Sequence, residues 1–215
     1  RTCFQRLEHK SFLTTSRYIH SVHRSRYRQP ERPIAGLERE KNYTMNYKHI
    51  VQGEFIERPN RFIAYVNILG RWEKVHVKNT GRCRELLQKG VTVYLEKSDN
   101  PNRSTAYDLV AVNKGERLIN MDSQAPNKVV EEWLYTKALF PDLQLVRPET
   151  TYGNSRFDFY VETSKEKIFI EVKGVTLEEE GVVRFPDAPS ERAVKHVEEL
   201  IQAKQDGYRV FVLFV

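Results

Sequence analysis

Two cysteines and two methionines in 215 residues, with no internal repeat and no low-complexity tract, set the first limits on this chain. Cys3 and Cys83 lie far apart and lack the short paired spacing of a metal knuckle, which argues against structural zinc and against a disulfide framework. A reduced, cytoplasmic compartment is the simplest setting for such a chain. No apolar run reaches the eighteen residues that a membrane-spanning helix needs, so no membrane partner is expected.

Hydrophobic residues make up 40% of the chain and charged residues 30%, enough for one large or two small folded domains. The net charge of +6 is unevenly placed. Residues 1–44 hold 10 basic and 4 acidic side chains, whereas residues 45–215 hold 25 of each. The body is therefore neutral, and any nucleic acid it binds must meet a local basic patch rather than a general field. Two explanations compete for residues 1–44: a basic targeting arm or nucleic-acid tail, or sequence upstream of a natural start at Met45. The second is preferred, and no function is assigned to this stretch.

From Met45 the pattern becomes regular. Ile50–Glu57, Phe62–Ile68, Trp72–Val77, Val91–Glu96 and Ala106–Val112 read as short strands, and Phe62, Ala64, Val66 and Ile68 alternate strictly. One or two helical turns are expected over Arg82–Gln88, closed by Gly90. Five strands with a small helix between the third and fourth fit an OB-type barrel over residues 45–113. Arg82 and Arg103 each sit in a polar turn where a phosphate could be met. His76 on a strand reads as a packed or edge histidine. Lys114–Ala125 reads as a polar connector into a second domain, residues 114–215.

That domain opens with an amphipathic helix over Pro126–Leu139 carrying Glu131 and Glu132, then a strand at Leu143–Val146. Its centre is the stretch RFDFYVETSKEKIFIEVK, Arg156–Lys173, which reads as one β-hairpin. Phe157, Phe159 and Val161 alternate with Arg156, Asp158 and Tyr160 in one arm, and Ile168, Ile170 and Val172 alternate with Phe169, Glu171 and Lys173 in the other. A turn centred on Ser164–Lys165 sets Asp158 opposite Glu171, with Lys173 on the same face as Glu171. Opposed like charges destabilise a sheet unless one takes up a proton or a cation sits between them. A hard divalent ion, magnesium or manganese, suits Asp158 and Glu171, with Lys173 beside them and Glu131 or Glu132 completing the site. The competing reading is a solvated polar face in which Lys173 pairs with one of the acids. Thr176–Glu180 reads as a solvated loop. Ser190 is a good N-cap for a helix to about Gln205, whose first turns gather Arg192, Lys195 and His196 on sides compatible with a phosphate. Val210–Val215 is an apolar buried strand.

The order helix, strand, strand, strand, helix, strand, with Asp158 and Glu171-Val172-Lys173 in place, resembles the PD-(D/E)xK nuclease core. A closer set of motifs covers nearly all of Met45–Val215: Asn79-Thr80-Gly81-Arg82, Ser155-Arg156-Phe157-Asp158-Phe159, Glu171-Val172-Lys173-Gly174-Val175-Thr176-Leu177, Phe185-Pro186-Asp187-Ala188 and Glu191-Arg192…Lys195-His196. Together they resemble the sugar fermentation stimulation protein family. The resemblance implies an OB-fold β-barrel joined to a PD-(D/E)xK nuclease-like α/β domain. It also implies DNA binding of low sequence specificity and a role in regulating sugar catabolism, maltose in particular. Residues 1–44 have no counterpart in the family pattern, and the chain stops at the last core strand, so the second domain is expected to be truncated. Three functions follow in order: a DNA-binding regulator that retains a nuclease-like site, a magnesium-dependent nuclease acting on DNA or RNA, and an OB module for carbohydrate.

Overall fold

The computed structural model describes residues 44–186 and 190–215, and the segment 1–43 discussed above lies outside them. Six strands come first: β1 (Ile50–Asn60), β2 (Ile63–Ile68), β3 (Arg71–Val77), β4 (Thr92–Lys97), β5 (Tyr107–Lys114) and β6 (Arg117–Asn120). They run β3-β2-β1-β4-β5-β6, and a parallel pairing of His76 and Val77 with Asp108 and Leu109 joins β3 to β5. The first five strands thus close into the OB barrel. Closure follows from the alternation: Ala64, Val66 and Ile68 of β2 and Val75 and Val77 of β3 all point inward to meet Phe55, Leu95 and Leu109.

One part of this domain meets the expectation at its lower limit and another departs from it. Residues 82–90 make a single turn, the shorter of the two lengths expected, with Leu86 and Leu87 both donating to the Cys83 carbonyl. The turn buries both leucines against the barrel core, and Gly90, at φ +90°, donates to the Phe55 carbonyl 2.8 Å away. Tertiary packing, not helix propensity, sets the conformation here. The polar stretch after Lys114 is not a plain connector. Gly115, at φ +59°, turns the chain back, and β6 pairs with β5 from Lys114↔Arg117 to Ala111↔Asn120.

The second domain comprises α1 (Ala125–Tyr135), β7 (Leu143–Tyr152), β8 (Ser155–Thr163), β9 (Lys167–Lys173), β10 (Leu177–Glu179), β11 (Val182–Arg184), α2 (Glu191–Gln205) and β12 (Arg209–Phe214). Its main sheet runs β12-β9-β8-β7, with β12 parallel to β9 and the rest antiparallel. Val130 and Leu134 of α1 pack with Phe159, Val161, Ile168 and Ile170. Leu200 and Ala203 of α2 pack with Phe157 and Phe169. Helix α1 ends sooner than its sequence pattern suggests, because Lys137 takes φ +59° and donates to the Leu134 carbonyl. At α2, the Ser190 hydroxyl accepts from the Ala193 N–H at 3.2 Å, the expected N-cap.

Two further differences concern the second domain. Phe157 and Phe159 join different clusters, so the alternation of the first hairpin arm breaks at Asp158. The glutamate run is not a solvated loop. Leu177–Glu179 pairs with Val182–Arg184, and the Glu178 side chain, 12% exposed, binds Lys114 and Arg117 of the barrel. Among the described residues no helix is long and apolar enough to cross a membrane.

Gly53 on β1 shows how closely the barrel packs. A Cβ there would collide with Val66 Cγ1, in the fully buried core. Gly53→Ala is therefore expected to lower stability by about 1–3 kcal/mol. Urea unfolding measures this as a lower midpoint at unchanged slope.

Candidate functional site

The β8–β9 ladder runs from Glu162↔Lys167 to Phe159↔Ile170. One residue further, the regular main-chain pairing stops. The Val172 N–H donates instead to Asp158 Oδ2 at 2.7 Å. Asp158 and Glu171, the next residues in this register, stand together at the end of the ladder and line one cleft of about 390 Å³. Lys173 lines it too.

Each carboxylate is held differently. Asp158 Oδ1 accepts from Asn127 Nδ2 of α1 at 2.8 Å, while Oδ2 takes the Val172 N–H. Burial pushes the Asp158 carboxyl up, and the nearby charge of Glu171 adds to this. The Val172 and Asn127 hydrogen bonds and the Lys173 charge pull the other way without cancelling it. Glu171 is 3% exposed. Its Oε1 accepts from Lys173 Nζ and from His196 Nδ1, the latter at 2.8 Å. Its Oε2 is buried and has no partner among the described residues. A buried polar atom without a partner is rare and marks a place where an ion or water belongs.

Among the described residues no group of three or more His, Cys, Asp or Glu gathers around one point. The donor set is two carboxylates, one of them with an oxygen left open. That suits magnesium, which keeps several waters and is commonly held by one or two carboxylates plus substrate phosphate oxygens. It lacks the three or four convergent Cys, His or carboxylate ligands that a zinc site takes, among the described residues.

Some of the residues singled out from sequence meet in this cleft and others do not. Asp158, Glu171, Lys173 and His196 line it. His196 faces inward as a partner of Glu171 rather than outward as a phosphate contact. Glu131 does not line the cleft; Asn127, one turn earlier on α1, reaches Asp158 in its stead. Glu132 accepts from the Met45 N–H at 3.2 Å. Lys195 is half-exposed, 3.8 Å from Glu199. Backbone 192 belongs to α2, but the side chain of Arg192 lies outside the described part.

The barrel arginines are elsewhere. Arg82 is exposed on the segment after β3 and is not among the residues that line the cleft. Arg103 is held against Asp108, which both its terminal nitrogens bind, at 2.8 and 2.6 Å. His76 binds the same carboxylate at 2.9 Å.

Among the lining residues not foreseen are Asn127, Arg156 and Glu149. Arg156 Nε lies 2.7 Å from Glu149 Oε2. Glu149 stands across β7 from Asp158, between the pairs Pro148↔Phe159 and Thr150↔Phe157, with φ +55°. Left-handed backbone at a residue other than glycine is uncommon and clusters at functional sites. The position of Asn127 just after Pro126, at the start of α1, was the one available sequence signal.

Comparison with known proteins follows the same division of the chain. Residues 56–121 match the profile described as the SfsA N-terminal OB domain, and residues 124–215 match that of the sugar fermentation stimulation protein RE domain. A sugar fermentation stimulation protein homolog of Ruminiclostridium cellulolyticum is 60% identical over 171 residues, covering 80% of this chain and 76% of that one. A homolog of the same name from Desulfitobacterium hafniense is 61% identical over 171 residues, covering 80% and 75%. The solved structure of Pyrococcus furiosus SfsA in complex with Ca²⁺ is similar at 30% identity with a TM-score of 0.71, covering 79% of this chain and 74% of that one.

The raised Asp158 carboxyl has a consequence for stability. A carboxyl whose folded value is raised contributes stability that is full below its unfolded value and lost as pH rises through the folded value. At neutral pH Asp158 therefore costs the metal-free protein stability. Asp158→Asn keeps an oxygen for the Val172 N–H, and Asn127 can turn its amide to match. After solvent screening of a half-buried group, the gain is on the order of 1 kcal/mol, about 2–4 °C in Tm. Melting at pH 7 is expected to show this rise, and melting below the ordinary carboxylate range is expected to show it vanish.

Proposed function

This chain belongs to the sugar fermentation stimulation protein family, and from that premise we propose that it binds nucleic acid, DNA foremost, and hydrolyses phosphodiester bonds at a cleft that holds magnesium or manganese. The carrying observation is the buried, unpartnered Oε2 of Glu171 next to Asp158. The calcium complex of the Pyrococcus furiosus relative supports the same reading.

Asp158 and Glu171 would hold the ion, which supplies polarisation of a phosphoryl oxygen and a water of lowered pKa. The chain's own groups do the rest. Asn127 and the Val172 N–H fix the orientation of Asp158. Lys173 Nζ donates to Glu171 Oε1, and its remaining N–H groups are offered to the oxygens of a phosphate in the cleft. Arg156 at the rim, paired with Glu149, can exchange that partner for a neighbouring phosphate. These contacts address the backbone of a nucleic acid and not its bases, which is the basis of low sequence specificity. A cytoplasmic role in regulating sugar catabolism, maltose included, belongs to this reading as its DNA-binding side.

Two measurements test it. With magnesium or manganese, the protein is expected to cut an oligonucleotide, Asp158→Ala and Glu171→Ala to abolish cutting, and Lys173→Met to slow it about 10²–10³-fold. Cutting by Asp158→Ala at the wild-type rate overturns the mechanism. Separately, calcium at a hundred times its Kd is expected to stabilise the folded wild type by about 2.7 kcal/mol, seen as a rise in Tm that Asp158→Asn lacks.

A further inference from the structure

His196 is 9% exposed, and no step above uses it. Its Nδ1 donates to Glu171 Oε1, the oxygen that also takes Lys173 Nζ, while Oε2 takes nothing from the described residues. Two donors on one oxygen and none on its twin is an uneven arrangement. A small rotation of the carboxylate would share the donors and remove the cost of a buried, unpartnered oxygen.

The two donors differ in what they allow. Lys173 sits two residues along the same strand on a flexible four-carbon stem, and can follow either oxygen. His196 is a rigid ring on the neighbouring helix. Its edge meets the Phe157 ring at 6.5 Å and 89°, and α2 is seated on the sheet through Leu200 and Ala203. Only one of the two donors is fixed in place, so it decides which oxygen is occupied.

We propose that His196 is a positioning residue: reaching from α2, it occupies Oε1 of Glu171 and thereby keeps Oε2 open for a divalent cation. This rests on the cation reading above and adds to it the residue that selects the coordinating oxygen. Partners that orient a ligating carboxylate change cation affinity without touching the ion.

Calorimetric titration with calcium alone, on wild type, His196→Asn and His196→Gln, tests this. The Asn amide nitrogen falls near the place of Nδ1, and the Gln amide nitrogen falls near that of Nε2. His196→Gln is expected to weaken calcium binding about 10–100-fold, and His196→Asn to bind close to wild type, with the metal-free melting curves of both cooperative. Equal affinity in all three proteins overturns the proposal, as does an Asn variant as weak as the Gln variant, or a Gln variant that does not fold. A wild type that takes up no calcium overturns the cation site itself, an outcome distinct from the first three.

Discussion

The Val172 N–H donating to the side chain of Asp158 is the contact on which the site depends. A ladder that continued in regular register would offer that N–H to a main-chain carbonyl and turn Asp158 to one face of the sheet. Instead the pairing ends at Phe159↔Ile170, and the inward alternation of β8 breaks there, with Phe157 and Phe159 in separate clusters. The carboxylate is drawn to the end of β9, beside Glu171. Two like charges so placed oppose the fold. They are tolerated because donors from three elements meet them: Asn127 of α1, the main chain and Lys173 of β9, and His196 of α2.

The barrel takes part in holding this arrangement. Glu178 on β10 grips Lys114 of β5 and Arg117 of β6, so the β10–β11 hairpin is tied to the first domain. The chain leaves that hairpin through Phe185 and Pro186, which line the cleft. Ser123, which lines it from the other side, donates to the Lys78 carbonyl of the barrel segment. Both approaches to the cleft are therefore tied to the OB domain, while the residues that line it come from the segment after that domain.

Much of the architecture can be read from periodicity alone. Strict alternation in β2 and a period of 3.6 in α2 identify those two elements, because each buries one face and residue type follows burial. The pairing of β8 with β9 follows from the turn at Ser164–Lys165. What cannot be read is which polar side chain reaches which partner. Glu131 and Asn127 share one helix, and acidity favoured Glu131 as a ligand, yet the helix start directs Asn127 to Asp158. Arg103 looks like a free loop arginine until the fold brings Asp108 under it, five residues on in sequence. Glu178 reads as solvated within a run of three glutamates, and its partners lie more than sixty residues away. Each depends on a side-chain contact, two of the three between segments distant in sequence, that local pattern does not encode.

Two partly buried aspartates in this chain show how such contacts separate support from function. Burial works to raise both carboxyls. At Asp108 the hydrogen bonds of Arg103 and His76, with the charges of Lys78 and Arg103, hold the carboxyl below the usual range. Its neighbours complete it, and it joins β3, the Arg103 loop and β5. At Asp158 the hydrogen-bond donors are a neutral amide and a main-chain N–H, and the neighbouring acid raises the carboxyl further. The one nearby ammonium, Lys173, is already engaged by Glu171. Placing cationic partners around Asp158, as around Asp108, would have stabilised it at neutral pH and left nothing for a ligand to add. A carboxylate pair inside a cleft, with Asp158 bound by neutral donors and one Glu171 oxygen unpartnered among the described residues, is arranged for a cation that arrives from solution.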